Sequence, residues 1–152
     1  MSDLAIRPAH EDDLPLIVAL LADDMLGAAR EDLGPPLPAG YHAAFAAIRA
    51  DANQLLLVAE EEGEVVGTMQ LTFLPGLSHK GAWRGQLEAV RVASARRGQG
   101  LGRQMVLWGI EECRRRGCAQ MQLTSHNDRA EAHRFYRGLG FAQSHSGFKL
   151  KL

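Results

Sequence analysis

The segment from Trp83 to Cys113 constrains the fold most, because it joins two different periodicities through a glycine-rich turn. Trp83–Val92 alternates apolar and polar residues in its second half, which predicts a strand. After the turn, small and apolar residues recur every three or four positions from Gly102 to Cys113, which predicts a long, half-buried helix. A strand, turn and helix in this order indicate a sheet that is covered by helices.

The remaining periodicities place strands and helices on both sides of this unit. The predicted strands are Leu4–Arg7, Gln54–Glu60, Glu64–Leu74, Ala119–Thr124 and a closing hairpin of Phe141–His145 and Phe148–Leu150. Helical stripes begin at Leu14, Tyr41 and Ala132. Hairpins in the middle and strand–helix alternation towards the end predict an α/β (α+β) fold with a mixed sheet.

Composition bounds the class of protein. The 152 residues are 46% hydrophobic and 23% charged and contain no repeat or linker, which predicts one globular domain over residues 1–152. Seventeen basic against eighteen acidic residues give a net charge of −1, which argues against nucleic acid as a partner. The longest apolar run, Leu14–Ala22, has nine residues, whereas a membrane span needs about twenty.

The N-terminus and the cysteines bear on location and metal binding. The first residues lack a basic segment followed by an apolar stretch, so we expect no signal peptide and a cytoplasmic protein. Cys113 and Cys118 fit no zinc spacing and are expected to be reduced thiols. The six histidines show no ligand spacing either, so no metal is expected.

The glycine-rich turn has the features of an anion site. A helix N-terminus leaves backbone N–H groups unpaired, and glycines allow several of them to converge on one phosphate. Arg103-Gln104 stands where a P-loop needs Lys and then Ser or Thr, and Arg103 also occupies the third-glycine position of a dinucleotide fingerprint. Both of those phosphate sites are therefore excluded. A flexible loop before an ordinary helix start remains the alternative.

Three motifs resemble one enzyme family. Arg97–Gly102 matches the R/Q-x-x-G-x-G/A signature of the GNAT superfamily of acyl-CoA-dependent N-acyltransferases. Leu87–Val92 resembles the family's fourth strand, and Ala132–Phe141 resembles its late helix, with a tyrosine four residues before Gly-Phe. The resemblance implies a mixed, mostly antiparallel sheet of about seven strands flanked by about four helices. It also implies acetyl-CoA as cosubstrate.

The resemblance further implies a CoA site. The family's glycine loop wraps the CoA pyrophosphate, and here it comprises Arg97, Gly98, Gln99, Gly100, Leu101, Gly102 and Arg103. The backbone of Val90 and Val92 is expected to bind the pantetheine arm. The family often has an asparagine seven residues before the tyrosine. That position is Arg129 in this chain, with Asn127 two residues earlier, so either residue could make the contact.

Two residues are candidates for catalysis by the same resemblance. Tyr136 is similar to the family's general acid, which protonates the departing CoA thiolate, although an aromatic residue on this apolar stripe is also typical of core. Glu88 is the candidate base for the attacking ammonium, and its alternative is a solvent-facing strand carboxylate. The expected activity is acetyl transfer to a primary amine by direct attack in a ternary complex. The alternative is a non-catalytic CoA-binding sensor or interaction module.

The acceptor and the oligomeric state are less constrained. A small-molecule amine and a peptide N-terminus both remain open as acceptors. The resemblance implies that Asp23, Asp24, Glu31 and Asp32 line the entrance to the acceptor site. These clustered carboxylates predict a cationic acceptor, because they would create a negative potential there. Apolar residues near the C-terminus (Phe148, Leu150 and Leu152), together with the family's habit, predict a homodimer.

Overall fold

A computed structural model describes residues 3–152 and contains one mixed five-stranded sheet. The strands are β1 (Ala5–Pro8), β2 (Gln54–Glu61), β3 (Glu64–Leu74), β4 (Arg84–Val92) and β5 (Gln120–Leu123). They lie side by side in chain order; the first three pairings are antiparallel, and β4 pairs with β5 in parallel. The mixed sheet that the sequence predicts is confirmed.

Helices cover both faces of this sheet. They are α1 (Leu14–Ala22), α2 (Met25–Ala28), α3 (Ala39–Ala50), α4 (Ser78–Gly81), α5 (Leu101–Arg115) and α6 (Ala130–Gly138). In β2, Leu57 and Ala59 face the core beneath α5, whereas Val58 between them points to the opposite face. That opposite face is covered by α1 and α3.

The tight packing of α5 on the sheet explains two glycines in the strands. A Cβ atom on Gly85 would lie 2.3 Å from Cys113 Sγ, and one on Gly67 would lie 2.7 Å from Met105 Sδ. Side chains larger than hydrogen would therefore push α5 away from the sheet. The fully buried residues between α5 and the sheet include Leu71 of β3 and Val106 of α5. No helix within residues 3–152 has both the length and the apolar character needed to cross a membrane.

The prediction of about seven strands is wrong for the described residues. Phe141–His145 and Phe148–Leu150 form no strand, and residues 142–152 are exposed throughout. Alternation predicts that a segment can form a strand, but a strand exists only where its backbone pairs with a neighbour. The helices also differ from the expected four, because two single-turn helices, α2 and α4, are added to the four longer ones.

Candidate active site

The parallel strands β4 and β5 separate halfway along β4. Their pairing ends at Leu87 and Leu123, so the rest of β4 has no partner on its β5 side. At the same point β4 carries a bulge, because Glu88 lies opposite Gln70 whereas Arg91 lies opposite Thr68. Ala89, within the bulge, has a φ of 54°, which non-glycine residues rarely adopt. The split exposes a backbone edge against which an extended ligand can lie.

The glycine loop leads from the end of β4 into α5. Gly98 and Gly100 have φ values of 76° and 81°, and Gly100 is the residue that precedes the first turn of the helix. A Cβ atom at either glycine would meet nothing within 4 Å. Glycine is therefore favoured at these two positions by the positive φ and not by a lack of space for a side chain. No side chain caps this helix start, which leaves its first backbone N–H groups available to a ligand.

A pocket with a volume of about 500 Å³ lies between this loop and α6. Its lining contains four arginines and no carboxylate: Val92, Arg96, Arg97, Gly98, Gly100, Leu101, Gly102, Arg103, Arg134, Phe135, Gly138 and Leu139. Arg97 is held in place by Asp23 Oδ2 at 3.4 Å and by the Val92 carbonyl at 3.2 Å. Positive side chains and a helix N-terminus at one pocket favour a polyanionic ligand such as a pyrophosphate.

The structure brings together seven of the predicted site residues at this pocket. Those residues are Val92, Arg97, Gly98, Gly100, Leu101, Gly102 and Arg103. Gln99 instead lies outside the lining, where its side chain accepts a hydrogen bond from Arg96. Val90 lies on the unpaired part of β4, and Asn127 is exposed in the turn before α6. Neither Tyr136 nor Glu88 lines the pocket.

Tyr136 is half-buried on α6, between two other aromatic rings. Its ring makes edge contacts with Phe135, at 5.1 Å between centroids, and with Phe141, at 5.7 Å. Burial raises the pKa of the Tyr136 phenol, and the charges of Arg91 and Arg129 act in the opposite direction. The phenol is therefore protonated at neutral pH, as a proton donor must be.

Glu88 lies on β4 immediately after the last pairing with β5, and it is exposed. Its neighbour Leu87 is buried beneath α5, so the Glu88 side chain extends from the other face of the strand. The alternation of residues along the sequence could not show on which face of the strand Glu88 lies. An exposed carboxylate beside the opening between the strands can take a proton directly or through water.

A charged cluster of Asp24, Arg91 and Arg129 lies beside the same opening. Arg129 Nη1 is 2.8 Å from Asp24 Oδ2, and Arg91 Nε is 3.5 Å from the same oxygen. Burial opposes the ionisation of Asp24, but hydrogen bonds from Arg129 and the Gly27 N–H outweigh it and lower its pKa to about 2. Arg129 thus uses Nη1 to bind a carboxylate of this chain.

The acidic cluster predicted to attract a cation is internally paired. Asp23 contacts Arg97, and Asp24 contacts Arg129. Glu31 contacts Arg30, and Asp32 accepts a hydrogen bond from the Gly34 N–H. Three of the four carboxylates are thus ion-paired, which weakens the negative potential on which the prediction of a cationic acceptor rested.

Sequence reasoning missed three arginines of the site, Arg91, Arg96 and Arg134. Arg134 lies four residues before Gly138 on α6, and both residues line the pocket. That helical spacing was the signal that could have identified the pocket face of α6. Arg91 had no comparable signal, because its role depends on Asp24, which is distant in sequence.

Metal binding and thiol chemistry have no support in the described part of the chain. Over residues 3–152, no group of three His, Cys, Asp or Glu side chains is arranged to hold a metal ion. Cys113 and Cys118 are free thiols. Burial raises the pKa of the Cys113 thiol to about 11, so it stays protonated and unreactive at neutral pH.

Comparisons with known proteins agree with this fold and this loop. The acetyltransferase (GNAT) family model matches residues 20–141. An aminoalkylphosphonate N-acetyltransferase from Salmonella typhimurium is 38% identical over 104 residues, which cover 68% of this chain and 67% of that protein. A glucosamine 6-phosphate N-acetyltransferase from Trypanosoma brucei brucei is 30% identical over 152 residues, covering 99% and 97%. The chain therefore belongs to the GNAT family of acetyltransferases.

A solved structure extends the likeness to the whole chain. A transcriptional regulator from Bacillus halodurans C-125 superposes with a TM-score of 0.95 and 47% identity, covering 99% of this chain and 100% of that one.

Proposed function

We propose that this protein transfers the acetyl group of acetyl-CoA to the primary amine of a small acceptor. The observation that carries the proposal is the pocket at the start of α5, which has four arginines and no carboxylate in its lining. Such a pocket suits the phosphates of CoA, and it adjoins Val92 at the end of β4, whose edge past Leu87 has no β5 partner. Acetyl-CoA supplies an activated thioester; the chain's own residues bind and orient it.

The backbone of β4 fits the pantetheine arm. Past Leu87 the strand has no β5 partner, so its unpaired edge can exchange hydrogen bonds with an extended amide chain. Within this stretch we assign the contacts to the backbone of Val90 and Val92. A backbone N–H here would also polarise the thioester carbonyl as charge develops on its oxygen.

The reaction needs two proton transfers, which we assign to two residues. Glu88 accepts a proton from the acceptor ammonium, directly or through water, and the freed amine attacks the thioester carbonyl carbon. The C–N bond forms as the C–S bond breaks, and Tyr136 donates its phenolic proton to the departing sulfur. The nitrogen loses its second proton as it becomes an amide, and that proton restores the Tyr136 phenol through water. Burial keeps the phenol protonated until this step because it raises the pKa of Tyr136.

Release of free thiol tests the proposal directly. Acetyl-CoA is incubated with a panel of small primary amines, and the thiol is measured against an amine-free control. We expect amine-dependent thiol release and an N-acetylated product with the mass of the acceptor plus an acetyl group. Binding of CoA in a calorimeter with no thiol release for any amine would overturn the catalytic assignment.

The second candidate is a non-catalytic acyl-CoA-binding module. It is favoured by the close likeness to a protein described as a transcriptional regulator. A candidate proton donor, Tyr136, together with a candidate base, Glu88, favours the enzyme, since a binding module needs neither. The thiol-release assay distinguishes the two.

We also propose that the protein is a homodimer in the cytoplasm. The side chains of Phe148, Leu150 and Leu152 are 94%, 85% and 112% exposed, and they alternate along an extended segment. Among the described strands, β5 has a neighbour on one side only. One chain thus offers both an unpaired apolar segment and an unpaired strand edge, and two copies related by a two-fold axis would cover both.

A further inference from the structure

We infer that Arg91 and Arg129 form a subsite for a phosphonate or phosphate group carried by the acceptor amine. This inference rests on the proposed function, whose acceptor site it specifies. The anionic group bound here is opposite in charge to the cation that the acidic cluster predicted.

Both guanidinium groups have donors to spare. Arg91 Nη1 donates to the Val90 carbonyl at 2.9 Å, while Arg91 Nε is buried without a hydrogen-bond partner, 3.5 Å from Asp24 Oδ2. Arg129 uses Nη1 for Asp24. Within residues 3–152, Arg91 Nη2 and the other two nitrogens of Arg129 have no acceptor. A second anion would satisfy donors that Asp24 alone cannot.

The cluster of Asp24, Arg91 and Arg129 carries an excess of positive charge on side chains that are mostly shielded from solvent. Two guanidinium groups share one carboxylate, which leaves a net charge of +1. The Arg91 side chain is only 16% exposed, and that of Arg129 is 27% exposed. Burial lowers the pKa of Arg91, and the charges of Arg129 and Arg30 lower it further, as expected where positive charges crowd. Binding an anion relieves this repulsion.

The position of the cluster suits an acceptor rather than CoA. Neither Arg91 nor Arg129 lines the pocket beside the glycine loop. Asp24, which holds both arginines, joins α1 to α2. The Tyr136 phenol is close enough for the charges of Arg91 and Arg129 to affect its pKa. An anionic group bound here would lie on the α1–α2 side of the opening, with its amine within the reach of the reacting groups.

Guanidinium geometry selects the kind of anion. The planar fork of arginine matches two oxygens of one phosphonate or phosphate, and two forks can share a tetrahedral group with three oxygens. A carboxylate offers only two oxygens; Asp24 uses one of its own, Oδ2, for both arginines, and its Oδ1 accepts from the Gly27 N–H. The shared chemistry is therefore a phosphorus oxyanion separated from a primary amine by a short linker.

The experiment compares four acceptors of similar length. They are 2-aminoethylphosphonate, O-phosphoethanolamine, β-alanine and ethanolamine, each assayed by thiol release from acetyl-CoA. We expect the two phosphorus compounds to have kcat/KM values about 10- to 100-fold above that of ethanolamine, which is the range for charge-assisted hydrogen bonds. Their ratio to each other identifies a phosphonate or a phosphate ester as the preferred source of the anion.

Variants assign the effect to the two arginines. Arg91→Gln and Arg129→Gln should raise KM for the preferred phosphorus acceptor about tenfold and leave KM for acetyl-CoA unchanged. Arg129→Lys keeps a charge beside Asp24 and should retain the fold with intermediate KM, which guards against loss of folding. Arg137→Gln is the matched control, because Arg137 is an exposed arginine of α6 that contacts only Gln143 among the described residues.

The outcomes separate this inference from the proposed function. Equal efficiency for ethanolamine and both phosphorus compounds would overturn the subsite and leave the acetyltransferase intact. An increase in KM for acetyl-CoA in the Gln variants would also overturn it, because the arginines would then serve CoA. If no amine releases thiol, calorimetric binding of 2-aminoethylphosphonate that is weakened in Arg129→Lys and lost in Arg129→Gln would still support the subsite.

Discussion

At the scale of single residues, the site depends on how burial and charge act on a few polar side chains. The Tyr136 phenol is half-buried among aromatic rings and stays protonated, while the Asp24 carboxylate stays ionised because Arg129 and the Gly27 N–H bind its charged form. Each state follows from the partners in the fold, and each can be tested by removing one polar group.

Replacing Tyr136 by phenylalanine removes the proposed proton donor and keeps the aromatic packing. We expect kcat to fall about 100-fold, the usual scale for a general acid, with unchanged affinity for CoA. Stopped thiol-release assays and calorimetry measure the two quantities. Tyr41→Phe is the matched control, since Tyr41 is the only other tyrosine and its hydroxyl already binds Glu31. Wild-type turnover in Tyr136→Phe would show that Tyr136 has only a packing role.

Asp24 should contribute stability that depends on pH. Its pKa is lowered to about 2 in the folded protein, below the ordinary value of 3.8. The contribution is therefore complete above about pH 4 and is lost as the pH falls towards 2. Asp24→Asn should lower the free energy of unfolding by about 2 kcal/mol at pH 7 and by much less at pH 2. Urea titrations at both pH values check this; a constant difference would show that Asp24 acts through packing.

At the scale of elements, the turn between β4 and α5 is the proposed anion site. Gly98 and Gly100 take left-handed backbone conformations, and the helix that follows begins without a capping side chain. The separation of β4 from β5 beyond Leu87 adds an open backbone edge to this turn. We therefore propose that the glycine loop binds the phosphates and that the adjoining edge of β4 binds the pantetheine arm, with the arginines of the pocket adding positive charge.

Gly100→Asp should weaken acetyl-CoA binding by about 2 kcal/mol or more, because it places a carboxylate beside the phosphates. Gly63→Asp is a close control. Gly63 has the same φ of 81°, a Cβ there also meets nothing within 4 Å, and the residue lies outside the pocket. Both variants carry the same backbone strain, so calorimetry should show weaker binding for Gly100→Asp alone. Equal affinities would show that the loop does not bind the pyrophosphate.

At the scale of the whole molecule, the C-terminal segment, residues 142–152, packs little against the rest of the chain. Phe141 still packs at the core, but residues 142–152 are exposed, and the outer edge of β5 is unpaired within the described sheet. An exposed apolar segment and an open strand edge favour association.

Light scattering should therefore report a mass near twice 16.6 kDa at micromolar concentration. Replacing Phe148 and Leu150 together by lysine removes the apolar contacts and adds repulsion between copies, so the mass should fall to that of one chain. The double variant Lys149→Ala with Lys151→Ala changes the intervening exposed positions and should leave the dimer intact. A wild-type mass near 17 kDa would contradict the dimer.

The sequence by itself determined the elements whose signals are local. The turn at Gly63 after an apolar strand located β3 at Glu64–Leu74, and the glycine loop with the 3.6-residue stripe located α5. The same loop carried the family resemblance, because backbone conformation and anion binding both depend on glycines at fixed spacing.

Only the tertiary structure decided which residues meet across the fold. Arg91 and Arg129 share Asp24 from distant parts of the chain, and pairing turned the acidic cluster from a predicted cation site into internal ion pairs. Likewise, the alternation of the last residues could predict strand character, but not a pairing partner. Contacts of this kind depend on three-dimensional position and long-range charge, which no periodicity along the chain encodes.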